Sequence, residues 1–501
     1  MSTQTRSLGK EVFKSQLAKG TAVFLTFLVT ILLTRWLGPD GYGAYALILG
    51  WVSLATLLIS IGFPEALNKF TPILLNNGVD IVSFWGRLFL LRVGAAAILA
   101  LIVRLLVMPV FNFLQHPDLI PLADFILVLF LLYQLSLFLE AFFTAQLRIN
   151  VLFLANTLRQ LLVLGGLVVL FLGNGVFLPQ ALLLTIVGYG LATFIFLAAV
   201  TQTKRGGRTW RFDRLPGVLK FSLSAWAVTG ITFLLSEQTD VLLLGFLTTD
   251  TSQVGFYKAG TSLVWKLIGV ITVGSQVVLA SLAHKYSSAG EAGLTKGWQS
   301  FIKLSTLTIV PVFLFLGWHA PAIIHILYGA EYAVSAVVLR YFVLLTIVPF
   351  GLMAGGLHLM TLYVLGQERK GLSVRVVSGL LNLLLGIVLI RAFAAVGAVV
   401  ATGLAALVGT FLEFYMLQRG YKRPYPWQFV GKILGAALLS ALTFILLPGD
   451  TLLNLAVVGI AYGACMALLL WWWKPLTHED YLTIRQVNRR LSAPMAWFTK
   501  M

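Results

Sequence analysis

Long apolar runs recur through almost the whole sequence, and they limit its possible folds more than any other feature. Each run holds about 20 residues, the length at which an α-helix crosses a hydrocarbon core of roughly 30 Å. Short polar segments separate the runs. Fourteen membrane spans are predicted in this way, at residues 14–36, 42–64, 86–110, 121–145, 152–173, 177–200, 217–247, 253–283, 298–321, 336–365, 373–391, 395–417, 429–447 and 452–473.

The amino-acid composition agrees with a membrane protein. The chain of 501 residues is 59% hydrophobic and 11% charged, with a mean hydropathy of +0.93. Soluble domains are roughly 45–50% apolar and about 25% charged, so this chain has too little charge to cover a soluble core of its size. We therefore expect an all-α integral membrane protein. Its single cysteine, Cys465, excludes an internal disulfide and a cysteine-based metal site.

The distribution of Lys and Arg predicts the orientation of the chain in the membrane. If the N-terminus is cytoplasmic, most of the 36 basic residues fall on the cytoplasmic side, whereas the opposite turns carry acidic residues such as Asp40, Asp250 and Asp450. This pattern follows the positive-inside rule and predicts a cytoplasmic (inner) membrane protein with both termini in the cytoplasm. Topology and contact with anionic lipid then explain the net charge of +18, which needs no nucleic-acid partner.

Two turns in different halves of the chain resemble each other. The first reads GPDGYGAY (residues 38–45) and the second TTDTSQVGFY (residues 248–257). Further along, Gln160 and Gly175 have the same separation as Asn382 and Gly397. An offset of about 212 to 222 residues therefore relates spans one to six to spans seven to twelve. Because six is an even number, the two halves are predicted to be parallel repeats about an axis along the membrane normal.

This repeat predicts the domain organisation. Residues 1–200 form an N-terminal lobe with spans one to six, and residues 201–219 form a basic cytoplasmic linker. Residues 220–418 form a C-terminal lobe with spans seven to twelve. Residues 419–501 hold spans thirteen and fourteen and a basic cytoplasmic tail. The expected architecture is thus fourteen transmembrane helices, in two six-helix lobes followed by two further helices.

Several basic residues lie inside the predicted spans. A Lys or Arg at the centre of a span costs roughly 2.5 to 3.5 kcal/mol on insertion scales, so such residues usually face the bundle interior or a wet cavity. Several cations that face one cavity would suit an anionic substrate. The alternative for each is that its long side chain extends to the lipid headgroups. The candidates for a cationic cavity are Lys266, Lys258, Arg159, Lys303, Arg92 and Arg35.

Acidic residues inside the spans are fewer. Glu237 and Asp240 lie three residues apart in span seven and therefore share a helix face. They are candidates for ion pairing with Lys258 or Lys266 on the following span. The alternative is that they bind a proton or Na⁺ whose gradient drives a transport cycle.

Motifs of enzyme chemistry are absent from the sequence. It contains no G-x-x-x-x-G-K-[ST] phosphate-binding loop and no H-E-x-x-H zinc motif. No predicted outer loop is long enough to hold a catalytic domain, which argues against a membrane glycosyltransferase or polymerase. We therefore expect a protein that is not an enzyme, with no catalytic residues, no metal and no cofactor other than an ion gradient.

Three stretches resemble a known family. The stretch TRWLGPDGYGAYALILGWVSLATLLISIGFPEALNKF resembles the first-to-second-span signature of polysaccharide flippases in the multidrug/oligosaccharidyl-lipid/polysaccharide exporter superfamily. The stretches SEQTDVLLLGFLTTDTSQVGFYKAG and LNLLLGIVLIRAFAAVGAVVATGLAA resemble the seventh-to-eighth and eleventh-to-twelfth signatures. The resemblance implies a two-lobed transporter that moves lipid-diphosphate-linked oligosaccharide from the inner to the outer leaflet by alternating access.

We therefore expect a flippase for polyprenyl-diphosphate-linked oligosaccharide in cell-surface polysaccharide biosynthesis. The expected partners are this substrate, membrane lipids and the glycosyltransferases or polymerase of the same pathway, and the chain is expected to be a monomer. The alternatives are a multidrug or toxin extruder and a peptidoglycan-precursor flippase of the same superfamily, or, in a different class, a membrane glycosyltransferase or polymerase. The excess of cations inside the spans favours an anionic substrate over a cationic drug.

Overall fold

The computed structural model describes residues 3–113, 116–173, 175–203, 207–210, 215–272, 275–447, 449–477 and 496–499. Within them the helices are α1 (Thr3–Ser60), α2 (Phe63–Asn76), α3 (Ile81–Leu105), α4 (Val107–Phe113), α5 (Ala123–Ala145), α6 (Ile149–Gly173), α7 (Leu178–Thr201), α8 (Leu215–Phe233), α9 (Glu237–Leu247), α10 (Thr251–Thr272), α11 (Ser275–Trp318), α12 (Ala320–Tyr328), α13 (Ala333–Thr346), α14 (Leu357–Val364), α15 (Glu368–Tyr421), α16 (Trp427–Ser440), α17 (Thr443–Leu446) and α18 (Leu452–Trp473). Short 3₁₀ turns lie at Pro117–Leu122, Ala330–Tyr332 and Ala496–Phe498, and a π-helical turn lies at Ile347–Leu352.

Extended structure is limited, in the ranges above, to one small parallel pairing and an isolated bridge. Strand β1 (Val79–Asp80) pairs with β2 (Arg208–Thr209), and the bridge joins Leu476 to Thr499. Asp80 also begins α3, because its side chain accepts a hydrogen bond of 2.9 Å from the backbone N–H of Val82. The predicted all-α membrane class is confirmed.

Ten helices in the described part of the chain are long and apolar enough to cross a membrane. The number is eleven if α8 and α9, which meet at a bend of 62°, count as one broken span. The chain is therefore a multi-pass membrane protein. The count of fourteen spans stays a prediction. Helix α15 has 54 residues, whereas one crossing needs about 20. Its backbone breaks at Ala394 (φ 47°).

The chain divides into two compact units, Met1–Lys258 and Ala259–Met501. In the first unit, an aromatic core fills the space between α3, α5 and α7, with Phe84, Phe138 and Phe196 fully buried. In the second unit, a core forms around Trp298 of α11 and Leu362 of α14. The lobe limits predicted from the repeat stay predictions. Much of the predicted linker (residues 204–206 and 211–214) and of the tail (residues 478–495, 500 and 501) lies outside the described residues.

Inside the first unit, the two similar turns pack directly against each other. A Cβ atom on Gly43 would lie 1.9 Å from the backbone oxygen of Thr251, and one on Gly255 would lie 2.1 Å from the backbone oxygen of Pro39. Each glycine therefore approaches the backbone of the other turn more closely than any side chain permits. The start of α10 is capped by Asp250, which accepts a hydrogen bond of 2.9 Å from a backbone N–H in its first turn.

Candidate functional site

A polar cavity of about 200 Å³ lies inside the first unit. Helices α1, α6, α7, α9 and α10 contribute its walls. Two of the cations predicted from the sequence, Arg159 and Lys258, line it. The other lining residues are Thr26, Val29, Thr30, Leu33, Tyr42, Tyr45, Ala46, Leu49, Gln160, Val163, Thr185, Tyr189 and Gln238.

Arg159 is placed at the cavity by the packing of α6 on α7. Gly188 of α7 makes this possible, because a Cβ atom there would lie 3.2 Å from Cγ of Arg159 and 2.9 Å from a methyl group of Val163. The guanidinium carbon lies 4.4 Å from the centre of the Tyr189 ring, a cation–π distance. Nε of Arg159 is buried and has no hydrogen-bond partner. Arg159 therefore brings a charged side chain to the cavity wall while its own Nε stays buried.

Lys258, the second cation of the lining, forms an ion pair. Its Nζ lies 2.8 Å from Oε2 of Glu237, and the two side chains are only 18% and 19% exposed. Glu237 is the first residue of α9, where the positive end of the helix dipole also favours a carboxylate. The sequence left open whether Glu237 pairs with a lysine or holds a coupling ion, and in this conformation it pairs with Lys258.

Asp240 lies one turn further along α9 and is fully buried. It accepts a hydrogen bond of 2.5 Å from the hydroxyl of Tyr257, which is also fully buried. Tyr257 precedes Lys258 on α10, so the two acidic residues of α9 each contact one of two neighbouring residues of α10. The role of Glu237 and Asp240 in binding a coupling ion stays a prediction.

Uncharged polar side chains, which were not predicted from the sequence, complete the wall. The hydroxyl of Thr185 donates to the backbone oxygen of Ala181 at 2.8 Å, so the hydroxyl of Tyr45, at 2.9 Å, donates to Thr185. Gln160 donates to the hydroxyl oxygen of Thr26. Threonines spaced four residues apart on one face of apolar α1, beginning at Thr26 and Thr30, were the available signal.

Two other predicted cations of the first unit do not line this cavity. Arg92 is only 2% exposed, and its Nε donates a hydrogen bond of 2.9 Å to Gln134 on α5. Its guanidinium carbon lies 5.1 Å from the Phe138 ring centre, so Arg92 belongs to the interior between α3 and α5. Arg35 is exposed, three residues before the backbone break at Gly38.

The remaining predicted cations belong to the second unit. Lys266 lies on α10 and is partly buried. Lys303 lies on α11, with Nζ 5.7 Å from the centre of the Phe429 ring. Their part in a cationic cavity stays a prediction. Within the described ranges, no group of three or more His, Cys, Asp or Glu side chains is arranged to hold a metal ion.

Solved structures of membrane transporters have a similar fold. The lipid II flippase MurJ, in an inward closed conformation, superposes with a TM-score of 0.71 at 14% identity, over 91% of this chain and 97% of that one. An inward-facing multidrug resistance MATE family transporter of the MOP superfamily gives 0.60 at 15% identity, over 79% and 95%. The chain therefore has the fold of MOP superfamily transporters.

The sequence assigns the chain to a family within this fold. Residues 32–337 match the sequence model of the family described as polysaccharide biosynthesis protein, and the chain belongs to that family. A probable low-salt glycan biosynthesis flippase of Haloferax volcanii, Agl15, is 26% identical over 239 residues. That alignment covers 45% of this chain and 47% of the relative, so the chain matches about half of the length of that protein.

Proposed function

We propose that the protein is a flippase that moves polyprenyl-diphosphate-linked oligosaccharide from the cytoplasmic to the outer leaflet by alternating access, for cell-surface polysaccharide biosynthesis. The observation that carries this proposal is the cavity with Arg159 and Lys258 in its wall. The family match and the similarity to a probable glycan flippase support it.

The chemistry of the cavity suits a phosphorylated headgroup. A guanidinium and a primary ammonium bind phosphoryl oxygens through charge-assisted hydrogen bonds. Such bonds are stronger in a low-dielectric interior than in water, which offsets the cost of removing a diphosphate from solvent. Arg159 and Lys258 therefore supply the main attraction, and the tyrosine, threonine and glutamine side chains supply hydrogen-bonding partners for sugar hydroxyls.

The cavity volume also bears on the cycle. About 200 Å³ is less than the roughly 300–1,000 Å³ of pockets that enclose drug-sized ligands, so this conformation has room for a headgroup such as a diphosphate. An oligosaccharide needs a wider space. Transport of such a substrate therefore requires the helices around the cavity to separate during each cycle.

The remaining features of the proposal follow from the sequence. The protein acts as a monomer in the cytoplasmic membrane, with both termini in the cytoplasm and two lobes at residues 1–200 and 220–418. A proton or Na⁺ gradient drives it, and Lys266 and Lys303 are further candidates for contact with an anionic substrate. It receives its substrate from membrane glycosyltransferases and delivers it to a polymerase.

Reconstitution tests the proposed function. Purified protein is inserted into vesicles that carry a polyprenyl-diphosphate oligosaccharide, and glycan on the opposite leaflet is measured with a membrane-impermeant oxidant. We expect transport by the unmodified protein, and a loss of about tenfold or more with Arg159→Ala or Lys258→Ala, because each substitution removes a charged hydrogen bond worth roughly 1.5–3 kcal/mol. Imposed proton and Na⁺ gradients identify the driving ion.

Arg104→Ala is the matched control. Arg104 is also an arginine of an apolar helix, but its side chain is 56% exposed and lies 3.3 Å from Asp124, away from the cavity lining. We expect this variant to transport normally. Full transport by both cavity variants would refute the cationic cavity. Transport of cationic drugs alone would establish an extruder, and transport of a peptidoglycan precursor alone would replace the substrate.

A further inference from the structure

The two cations in the cavity wall have different neighbours: Lys258 contacts a carboxylate, and Arg159 contacts an aromatic ring. The guanidinium carbon of Arg159 lies 4.4 Å from the Tyr189 ring centre, whereas Lys258 is held by the carboxylate of Glu237 at 2.8 Å. Glu237 itself is not among the lining residues. An entering anion therefore meets Arg159 directly, but it gains Lys258 only by replacing a carboxylate that already occupies it.

The position of Glu237 suits such an exchange. It begins α9, directly after the 62° bend that separates α9 from α8. The positive end of the α9 dipole stabilises its negative charge independently of Lys258. The carboxylate therefore keeps part of its stabilisation when Lys258 turns towards a substrate. Because both side chains are less than one-fifth exposed, the ion pair re-forms strongly once the substrate has left.

We infer that Glu237 is a displaceable counter-ion of Lys258, which an anionic headgroup must displace before it can bind this lysine. A phosphoryl group that enters the cavity meets Arg159 and competes with Glu237 for Lys258. Re-formation of the Glu237–Lys258 pair then lowers the affinity for the bound headgroup and promotes its release. This inference rests on the proposed function, because it concerns the release of an anionic headgroup from the same cavity.

Binding measurements on the full-length protein in lipid nanodiscs test the inference. The probes are a polyprenyl-diphosphate sugar, the matching polyprenyl-monophosphate sugar and inorganic pyrophosphate. We expect Glu237→Gln to bind the diphosphate lipid and pyrophosphate about tenfold more tightly, equal to about 1.4 kcal/mol, through slower dissociation. Its affinity for the monophosphate lipid rises as well, because the freed ammonium of Lys258 also attracts a single phosphoryl group. Transport of the diphosphate lipid falls, because release becomes slow.

Two further variants separate this role from a structural one. Glu237→Asp keeps the charge, so we expect its affinity for the diphosphate lipid to be closer to that of the unmodified protein than the affinity of Glu237→Gln is. Glu331→Gln removes an exposed carboxylate of the second unit and leaves all three affinities unchanged. If Glu237→Gln still binds all three probes but binds none of them more tightly, the counter-ion role is wrong.

The pyrophosphate probe keeps the two proposals distinguishable. It has neither a lipid nor a glycan. If pyrophosphate binding rises as expected in Glu237→Gln but the unmodified protein binds neither lipid-linked sugar, the exchange at Lys258 stands and the proposed lipid-linked substrate is wrong. If the unmodified protein transports the diphosphate lipid but Glu237→Gln changes no affinity, the flippase proposal stands and the counter-ion role fails.

Discussion

Substitution of Gly43 by alanine perturbs the contact between the two similar turns more directly than any other single change. Gly43 lies on α1 and faces the backbone of Thr251, and Gly255 faces the backbone of Pro39 in return. Neither contact is with a flexible side chain that can rotate away. An added methyl group therefore forces the two turns apart, or distorts the backbone of one of them.

The size of the effect follows from the geometry. A Cβ atom on Gly43 would lie 1.9 Å from the Thr251 oxygen, whereas real Cβ atoms essentially never come closer than 3.0 Å to a neighbour. The turns must therefore separate by about 1.1 Å, which is 3.0 minus 1.9. Overpacking of this kind costs typically 1–3 kcal/mol, and we expect about 2–3 kcal/mol because the obstacle is backbone.

The reciprocal contact makes a sharper test than either single change. If the turns separate to accept a methyl group on Gly43, they also make room for one on Gly255, whose Cβ atom would lie 2.1 Å from the backbone oxygen of Pro39. Gly43→Ala and Gly255→Ala should therefore both destabilise the protein, and the double variant should lose clearly less than the sum of the two, with a coupling of about 0.5 kcal/mol or more.

The assay is denaturant unfolding in detergent, followed by tryptophan fluorescence, with the free energy of unfolding taken from the linear extrapolation. Gly94→Ala is the control, because Gly94 is an exposed glycine of α3 with no heavy atom within 4 Å of the added methyl group. We expect it to be neutral or stabilising by up to about 1 kcal/mol. A Gly43→Ala variant as stable as the unmodified protein, or strictly additive changes, would show that the turns do not pack as described.

Three further predictions concern stability and positioning. Gly188→Ala displaces Arg159 and should weaken pyrophosphate binding several-fold while Gly94→Ala does not, measured by titration calorimetry. Arg92→Ala should cost about 1.5–3 kcal/mol of unfolding free energy, because it removes a charged hydrogen bond to buried Gln134; unchanged stability would contradict this. Burial raises the pKa of Asp250, but hydrogen bonds donated at the start of α10 lower it more, so the net shift is downward. At pH values above the unfolded-state pKa of about 3.9, Asp250→Ala should therefore lower the free energy of unfolding by about 1 kcal/mol. This loss relative to the unmodified protein should shrink as the pH falls through the lower pKa of the folded state. A difference independent of pH would refute the capping argument.

The predicted cations show which site residues can be identified from one sequence alone. A charge inside an apolar span is costly wherever the helix sits, so Arg159 and Lys258 were candidates before their surroundings were known. The choice between Lys258 and Lys266 as partner of Glu237 remained open, because both lie on the same following span. The contact at 2.8 Å shows that Lys258 pairs with Glu237. Arg92 was a candidate on the same grounds, yet it hydrogen-bonds Gln134 on another helix, which no spacing along one helix predicts.

The uncharged half of the cavity wall was missed for a related reason. Threonine hydroxyls in helices bond readily to the carbonyl oxygen four residues earlier, as Thr30 does to Thr26. Such a residue is equally compatible with a lipid-facing or an inward-facing position. Gln160 and Thr26 become part of one site only because α6 lies against α1.

The sequence by itself determined the membrane class, the position of the principal turns and the resemblance to the polysaccharide family. These properties depend on the length of apolar runs and on local turn residues, which are visible in the linear order of the amino acids. The tertiary structure decided which helix faces meet, and hence that Arg159 and Lys258 share a cavity and that Glu237 neutralises one of them. The rotation of a helix about its axis and the identity of its neighbours depend on the packing of every side chain between helices, including glycines such as Gly43 and Gly188.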